Sequence, residues 1–154
     1  MKRQAVQYEL DRILQLHSIK VSDTLPSPNK FNYRNHARFT IKKNGALGFV
    51  NRGSRQSVRI DNCMIMHPGI NQILDNLQGK CEETTQLSIR YGNNTDEWLI
   101  QPTLQKPDIP VKSGQTHYEE LMMGRRYRVA ASSFFQVNAP QAEQVVNILK
   151  AGLD

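Results

Sequence analysis

No stretch of this 154-residue chain stays apolar for the roughly 20 positions that a membrane-spanning helix needs, so no membrane partner is expected. The opening MKRQAVQYELDRIL is charged and helix-like, without the apolar centre of a secretory signal. Only two cysteines occur, Cys63 and Cys81, too few for a disulfide scaffold, and a reducing cytoplasm is the expected location. There is no glycine-rich phosphate loop and no C-x-x-C pair. The histidines His17, His36, His67 and His117 lie far apart, with no metal-ligand spacing. No helical segment is basic along one face, which argues against a groove-reading DNA-binding domain. The length suits a domain that buries its own core, and 38% hydrophobic with 22% charged residues reads as a folded chain.

The most informative absence is local. Residues 30–60 contain Lys30, Arg34, Arg38, Lys42, Lys43, Arg52, Arg55 and Arg59 and no Asp or Glu, whereas the whole chain carries a net charge of only +6. A positive surplus confined to one segment is the footprint of a polyanion-binding face. Arg34, Arg38, Lys42, Arg52 and Arg59 are therefore the candidate nucleic-acid-binding residues.

Periodicity places these residues on a sheet. Val6, Leu10, Ile13 and Leu14 form one stripe of a helix over residues 2–17, and Pro26 and Pro28 mark the loop after it. From Tyr33 to Ile41, a mostly apolar set (Tyr33, Asn35, Ala37, Phe39, Ile41) alternates with Arg34, His36, Arg38 and Thr40. A two-residue Asn44-Gly45 turn would pair Ile41 with Gly48. A three-residue loop ending on Gly45 pairs Ile41 with Leu47 and Phe39 with Phe49, and keeps the apolar side chains on one face. A third strand around Val58 and Ile60 completes an antiparallel meander with one dry and one basic face.

Further along, Pro68 opens a helix with Ile70, Ile73, Leu74 and Leu77 on its buried stripe, closed by Gly79. Strands are expected over residues 87–91, 97–101, 117–121 and 125–130, with a long loop over 102–116 of the functional or mobile kind. Asn138 and Gln141 make a capping-box pattern before a helix whose Ala142, Val145, Val146 and Leu149 would be buried, with Gly152 at its end. The expected fold class is α+β: a largely antiparallel sheet, comprising a basic three-stranded meander and further short strands, with flanking helices.

Residues 132–138, Ser-Ser-Phe-Phe-Gln-Val-Asn, stand just before that capped helix. Paired phenylalanines leading into a helix ordinarily belong to the core. Here Gln136 and Asn138 alternate with the apolar residues, and a planar amide beside an aromatic ring also suits a base or a cofactor edge.

The string SSFFQVNAPQAEQ, preceded by HYEELMMGRRYRV, resembles a block of the RNA uracil-C5 methyltransferases, which make 5-methyluridine in rRNA and tRNA from S-adenosylmethionine. SPNKFNYRNHARF, followed by GFVNRGSRQSVRIDNC, looks like the Tyr-Arg-Asn, Gly-Phe, Ser and Cys landmarks of that family, and KRQAVQYELDRI looks like the helix before them. The resemblance implies a central RNA-recognition domain over residues 1–131. Residues 132–154 would then lead into an S-adenosylmethionine-binding domain that holds the catalytic cysteine and the general-base glutamate outside this chain. It makes Gln136 a cofactor contact, Phe134 a base contact, and Cys63 the fourth ligand of a [4Fe-4S] cluster in members that have one. The other reading of Cys63 is a small buried thiol at a strand end. The expected partner is RNA, rRNA or tRNA, with no obligatory protein partner, and this segment alone would be inactive. The competing reading is a stand-alone, non-catalytic RNA-binding domain whose double phenylalanine is only core.

Overall fold

The computed structural model describes residues 2–13, 15–106 and 108–153; Leu14 of the first stripe, Pro107 of the long loop and Asp154 lie outside them. The elements run α1 (Lys2–Ile13), β1 (His36–Ile41), β2 (Leu47–Val50), β3 (Ser57–Arg59), α2 (Pro68–Leu77), β4 (Gln86–Tyr91), β5 (Trp98–Gln101), β6 (His117–Met122), β7 (Arg125–Ala130) and α3 (Ala139–Ala151). The class is α+β, as the patterning implies.

Five strands form one antiparallel sheet in the order β3-β2-β1-β4-β5, and β6 pairs with β7 as a separate hairpin. The meander is present with the three-residue turn: Gly45 adopts φ +73°, Ile41 faces Leu47, and the rings of Phe39 and Phe49 stack at 5.3 Å. It is not a sheet on its own, because β1 pairs along its other edge with β4, from His36↔Arg90 to Thr40↔Gln86.

One face of the sheet is dry. Ala37, Phe39, Ile41, Leu47, Leu87, Ile89 and Ile100 are buried there against Ile70, Ile73, Leu74 and Leu77 of α2. At about 25 cal/mol per Å² of apolar surface removed from water, such a layer is the main favourable term of the fold. The helix starts where His67 Nδ1 accepts from the Gly69 N–H at 3.1 Å and Pro68 takes the first turn.

The second face is polar over β1 and covered over β4 and β5. There the β6–β7 hairpin lays Tyr118 and Val129 on Leu99, with Ala131 and Phe135 packed alongside. Met123 and Gly124, both at positive φ (53° and 72°), close this hairpin in two residues.

Several expectations need correcting. The first strand begins at His36, since Arg34 is held in a parallel bridge with Met66. Helix α1 ends at Ile13 and buries nothing, leaving Val6 and Ile13 exposed. In α3 only Ala139 is buried, and Val145, Ile148 and Leu149 face outward. Periodicity names the apolar side of a helix but not what covers it. The capping box is half made: Asn138 Oδ1 accepts from the Gln141 N–H at 3.1 Å, while Gln141 Oε1 has no partner. The long loop is pinned rather than free, for Leu104, Ile109 and Val111 pack on the core and the Gln105 N–H meets the Glu83 carboxylate at 3.0 Å.

Candidate nucleic-acid interface

Alternation along β1 turns His36 and Arg38 away from the core, and the antiparallel register sets Arg90 of β4 opposite His36. His36 Nε2 lies 3.0 Å from Ser88 Oγ. Burial holds the His36 imidazole down to about 4, reinforced by the charges of Arg90, Arg34 and Arg38. The ring is therefore neutral near pH 7, and three guanidinium groups gather around it. Arg34 is oriented by its Nε–H, which donates to the His36 carbonyl at 2.9 Å. Among the described residues no ion pair involves Arg34, Arg38 or Arg90.

The other cations of the segment lie elsewhere. Lys42 and Lys43 sit on the exposed turn after β1, where the Gly45 carbonyl accepts from Gly79 beyond the C-terminal end of α2. The Arg34 carbonyl accepts from His67 at the opposite end of α2. Ten helical residues, roughly 15 Å at 1.5 Å per residue, separate those ends, so Lys42 does not join the arginine group. Arg52 is exposed on the turn after β2, at the same end of the sheet as Arg34. Arg59 pairs with Asp61 at 2.7 Å on the surface, which offsets its charge. The single basic face expected from the sequence is thus a cluster at Arg34 and Arg38, an outlying Arg52, and two separated positions.

Next to the cluster lies the double-phenylalanine segment. The Asn35 N–H donates to the Val137 carbonyl at 3.0 Å, fastening residues 134–138 beside the start of β1. The two rings part company: Phe135 packs against Leu99, Tyr118 and Val129, whereas Phe134 is 81% exposed. The Gln136 amide is also exposed. An uncovered aromatic ring followed by a free amide, beside a cluster of unpaired arginines, can stack on a nucleobase and bond its edge.

A buried polar knot keeps these parts in register. Asn35 is 2% and Glu120 0% exposed. Asn35 Nδ2 donates to Glu120 Oε2 at 3.2 Å, and the Asn93 N–H donates to Glu120 Oε1 at 3.0 Å. The Asn35 carbonyl also accepts from the Tyr91 N–H at 2.9 Å. One residue thereby links β4, the β6–β7 hairpin and the phenylalanine segment. Burial pushes the Glu120 carboxyl up, while the Asn93 N–H and the Asn35 amide pull it down.

The chain's relatives are consistent with this arrangement. No protein-family model matches it. An uncharacterized RNA methyltransferase of Geobacter sulfurreducens is 33% identical over 153 residues, taking in 94% of this chain and 30% of that protein. One of Thermosynechococcus vestitus is 26% identical over 201 residues, 97% of this chain and 45% of its own length. Over nearly its whole length this chain is similar to RNA methyltransferases.

The chain spans less than half the length of those RNA methyltransferases. Its fold matches the crystal structure of the Pyrococcus abyssi tRNA (uracil-54, C5)-methyltransferase in complex with S-adenosyl-L-homocysteine, with TM-score 0.73 and 20% identity, over 97% of this chain and 47% of that one. Burial, with the Glu83 charge, pushes the core thiol of Cys81 up to about 11.

Cys63 is partly buried against the core, its backbone N–H and C=O both bonded to the Asn71 side chain, at 3.0 and 3.2 Å. Among the described residues no group of three or more His, Cys, Asp or Glu is placed to hold a metal. Cys63 sits as a small packed thiol in the segment between β3 and α2. Sequence reading missed Arg90 and Glu120, and had Asn35 only on the dry side of the strand and within the Tyr-Arg-Asn landmark. Arg90 alternates with Leu87 and Ile89 of the core and reads as a solvent-facing position until the β6–β7 hairpin covers it.

Proposed function

We propose that this chain is the RNA-gripping and base-presenting part of an S-adenosylmethionine-dependent RNA uracil-C5 methyltransferase that forms 5-methyluridine in rRNA or tRNA. The observation that carries this reading is the Asn35–Val137 hydrogen bond at 3.0 Å, which fastens the segment carrying the exposed Phe134 to the start of the strand that carries Arg34 and Arg38. Residues 1–131 act as the recognition domain, and residues 132–154 lead toward the domain that binds the methyl donor. Uracil must leave its stack to be methylated, at a cost of a few kcal/mol. Stacking on Phe134 offsets that cost by about 1–3 kcal/mol. Arg34, Arg38 and Arg52 hold phosphates near the base, with Lys42 and Arg59 as peripheral contacts.

S-adenosylmethionine, when bound, supplies an electrophilic methyl group. The exposed Gln136 amide, which has both donor and acceptor atoms, fits a contact with that cofactor. The nucleophile that adds to uracil C6 and the base that removes the C5 proton come from outside this chain.

The test is binding of a single-stranded, uridine-containing oligoribonucleotide, compared with DNA of the same sequence. RNA binding that weakens steeply with salt supports the reading, and equal or absent binding to both overturns it. In the longer enzyme, Gln136→Ala should abolish most methylation with RNA affinity nearly intact. Equal loss of both would make Gln136 structural. Methyl incorporation by the 154-residue chain alone would contradict the external nucleophile.

A further inference from the structure

We propose that Arg90 is the floor of a phosphodiester-binding site, in which Arg34, Arg38 and Arg90, arranged around His36, grip the RNA phosphate adjoining the base presented at Phe134. The proposal rests on the reading of this face as an RNA interface and adds a residue and a ligand group to it.

A guanidinium carries five N–H donors and no acceptor, so burying one calls for an acceptor or an anion. Arg90 is 8% exposed, and its Nε is buried with no hydrogen-bond partner. No carboxylate neutralises it among the described residues. Glu120, buried under the same hairpin, is committed to Asn93 and Asn35. The Tyr118 hydroxyl accepts from the Arg90 guanidinium, but burial and the Glu120 charge push that hydroxyl up to about 12, so it stays neutral and leaves the Arg90 charge uncompensated and its Nε without a partner. Three like charges around an uncharged imidazole repel one another, and an anion between them reverses that repulsion. Among the described residues no carboxylate forms an ion pair with any of the three.

Geometry fixes which anion. Arg34 and Arg38 flank His36, roughly 13 Å apart at 3.3 Å per residue, and Arg90 stands opposite His36 midway between them, so the ends of these long side chains can converge on one tetrahedral oxyanion. Arg90 faces His36 on one side and Leu99 on the other. Leu99 is packed with Phe135, the residue after the exposed Phe134. A phosphate on Arg90 therefore lies beside the ring on which the base stacks, as the phosphate of the same or the adjacent nucleotide would.

The test is an NMR titration of the arginine Nε–H signals of the 154-residue chain, with Arg90→Lys used to identify the Arg90 signal. A short uridine oligoribonucleotide should shift the Arg34, Arg38 and Arg90 signals together, and inorganic phosphate should shift the same three more weakly. An Arg90 signal that stays still while Arg34 and Arg38 move would overturn the site but leave the interface intact. If none moves, both readings fall. A response to inorganic phosphate but not to RNA would also overturn the site as an RNA contact. Arg90→Gln should bind the oligoribonucleotide about tenfold more weakly, with a salt slope shallower by about 0.7, the loss of one single-strand phosphate contact. Unchanged affinity and slope in a folded Arg90→Gln protein would reject the proposal.

Discussion

The side-chain amide of Asn35 lies 3.2 Å from the Glu120 carboxylate while its backbone N–H holds the Val137 carbonyl at 3.0 Å, so one buried residue ties the arginine strand to the phenylalanine segment. Asn35→Ala removes one donor to a carboxylate that stays buried, and a destabilisation of about 1–3 kcal/mol is expected from chemical denaturation. Asn35→Asp, which sets a second carboxylate against Glu120, should be worse than Ala. Equal stability of all three proteins would mean that the knot does not hold this joint.

The two phenylalanines should separate in their effects. Phe134→Ala should leave the denaturation midpoint unchanged, because that ring is 81% exposed, and should weaken single-stranded RNA binding by about 1–3 kcal/mol. Phe135→Ala opens the small cluster with Leu99, Tyr118 and Val129 and should lower stability by about 2 kcal/mol. Calorimetry together with fluorescence anisotropy on the two variants distinguishes these roles.

Among the cations, Arg34→Ala and Arg38→Ala should each weaken RNA binding and flatten its salt dependence by about 0.7 per lost single-strand phosphate contact. Arg59→Ala should do less, since Arg59 already pairs with Asp61 at 2.7 Å. Lys42→Ala should do less because Lys42 stands at the far end of the sheet. Affinity measured over a salt series ranks the four variants.

His36 gives a pH signature. Its imidazole binds a proton less readily in the folded chain, near 4, than in the unfolded chain, whose ordinary value is 6.5. The unfolded state therefore holds more protons between about pH 4 and 6.5, and stability from this group rises with pH across that window. The raised carboxyl of Glu120 works in the opposite sense, its contribution being lost as pH rises through its folded value. The difference between wild type and His36→Gln isolates the histidine: the variant's denaturation midpoint should rise less from pH 4 to 6.5.

Much of this was legible from the residues. Gly45 and the apolar alternation specified the Ile41–Leu47 register, and the stripe Ile70, Ile73, Leu74, Leu77 marked the face of α2 that is buried. Asn138 marked the start of α3. What escaped depends on long-range placement. The β6–β7 hairpin turns Arg90 from a surface residue into a buried one, and the path of residues 134–138 decides which phenylalanine is covered. The apolar sides of α1 and α3 show the reverse limit, being patterned for burial and left open here. The contiguous cationic segment divided for a simple reason: a strand and its return carry neighbouring residues to opposite ends of a sheet.

The most direct test is photo-crosslinking of the chain to an oligoribonucleotide carrying a single 4-thiouridine, with the attached peptide read by mass spectrometry. The expected attachment lies within residues 134–138, and should fall sharply in Arg34→Ala/Arg38→Ala. Attachment instead on α1, on α3 or on the 102–116 loop, insensitive to those arginines, would contradict an RNA-gripping face joined to a base-presenting phenylalanine.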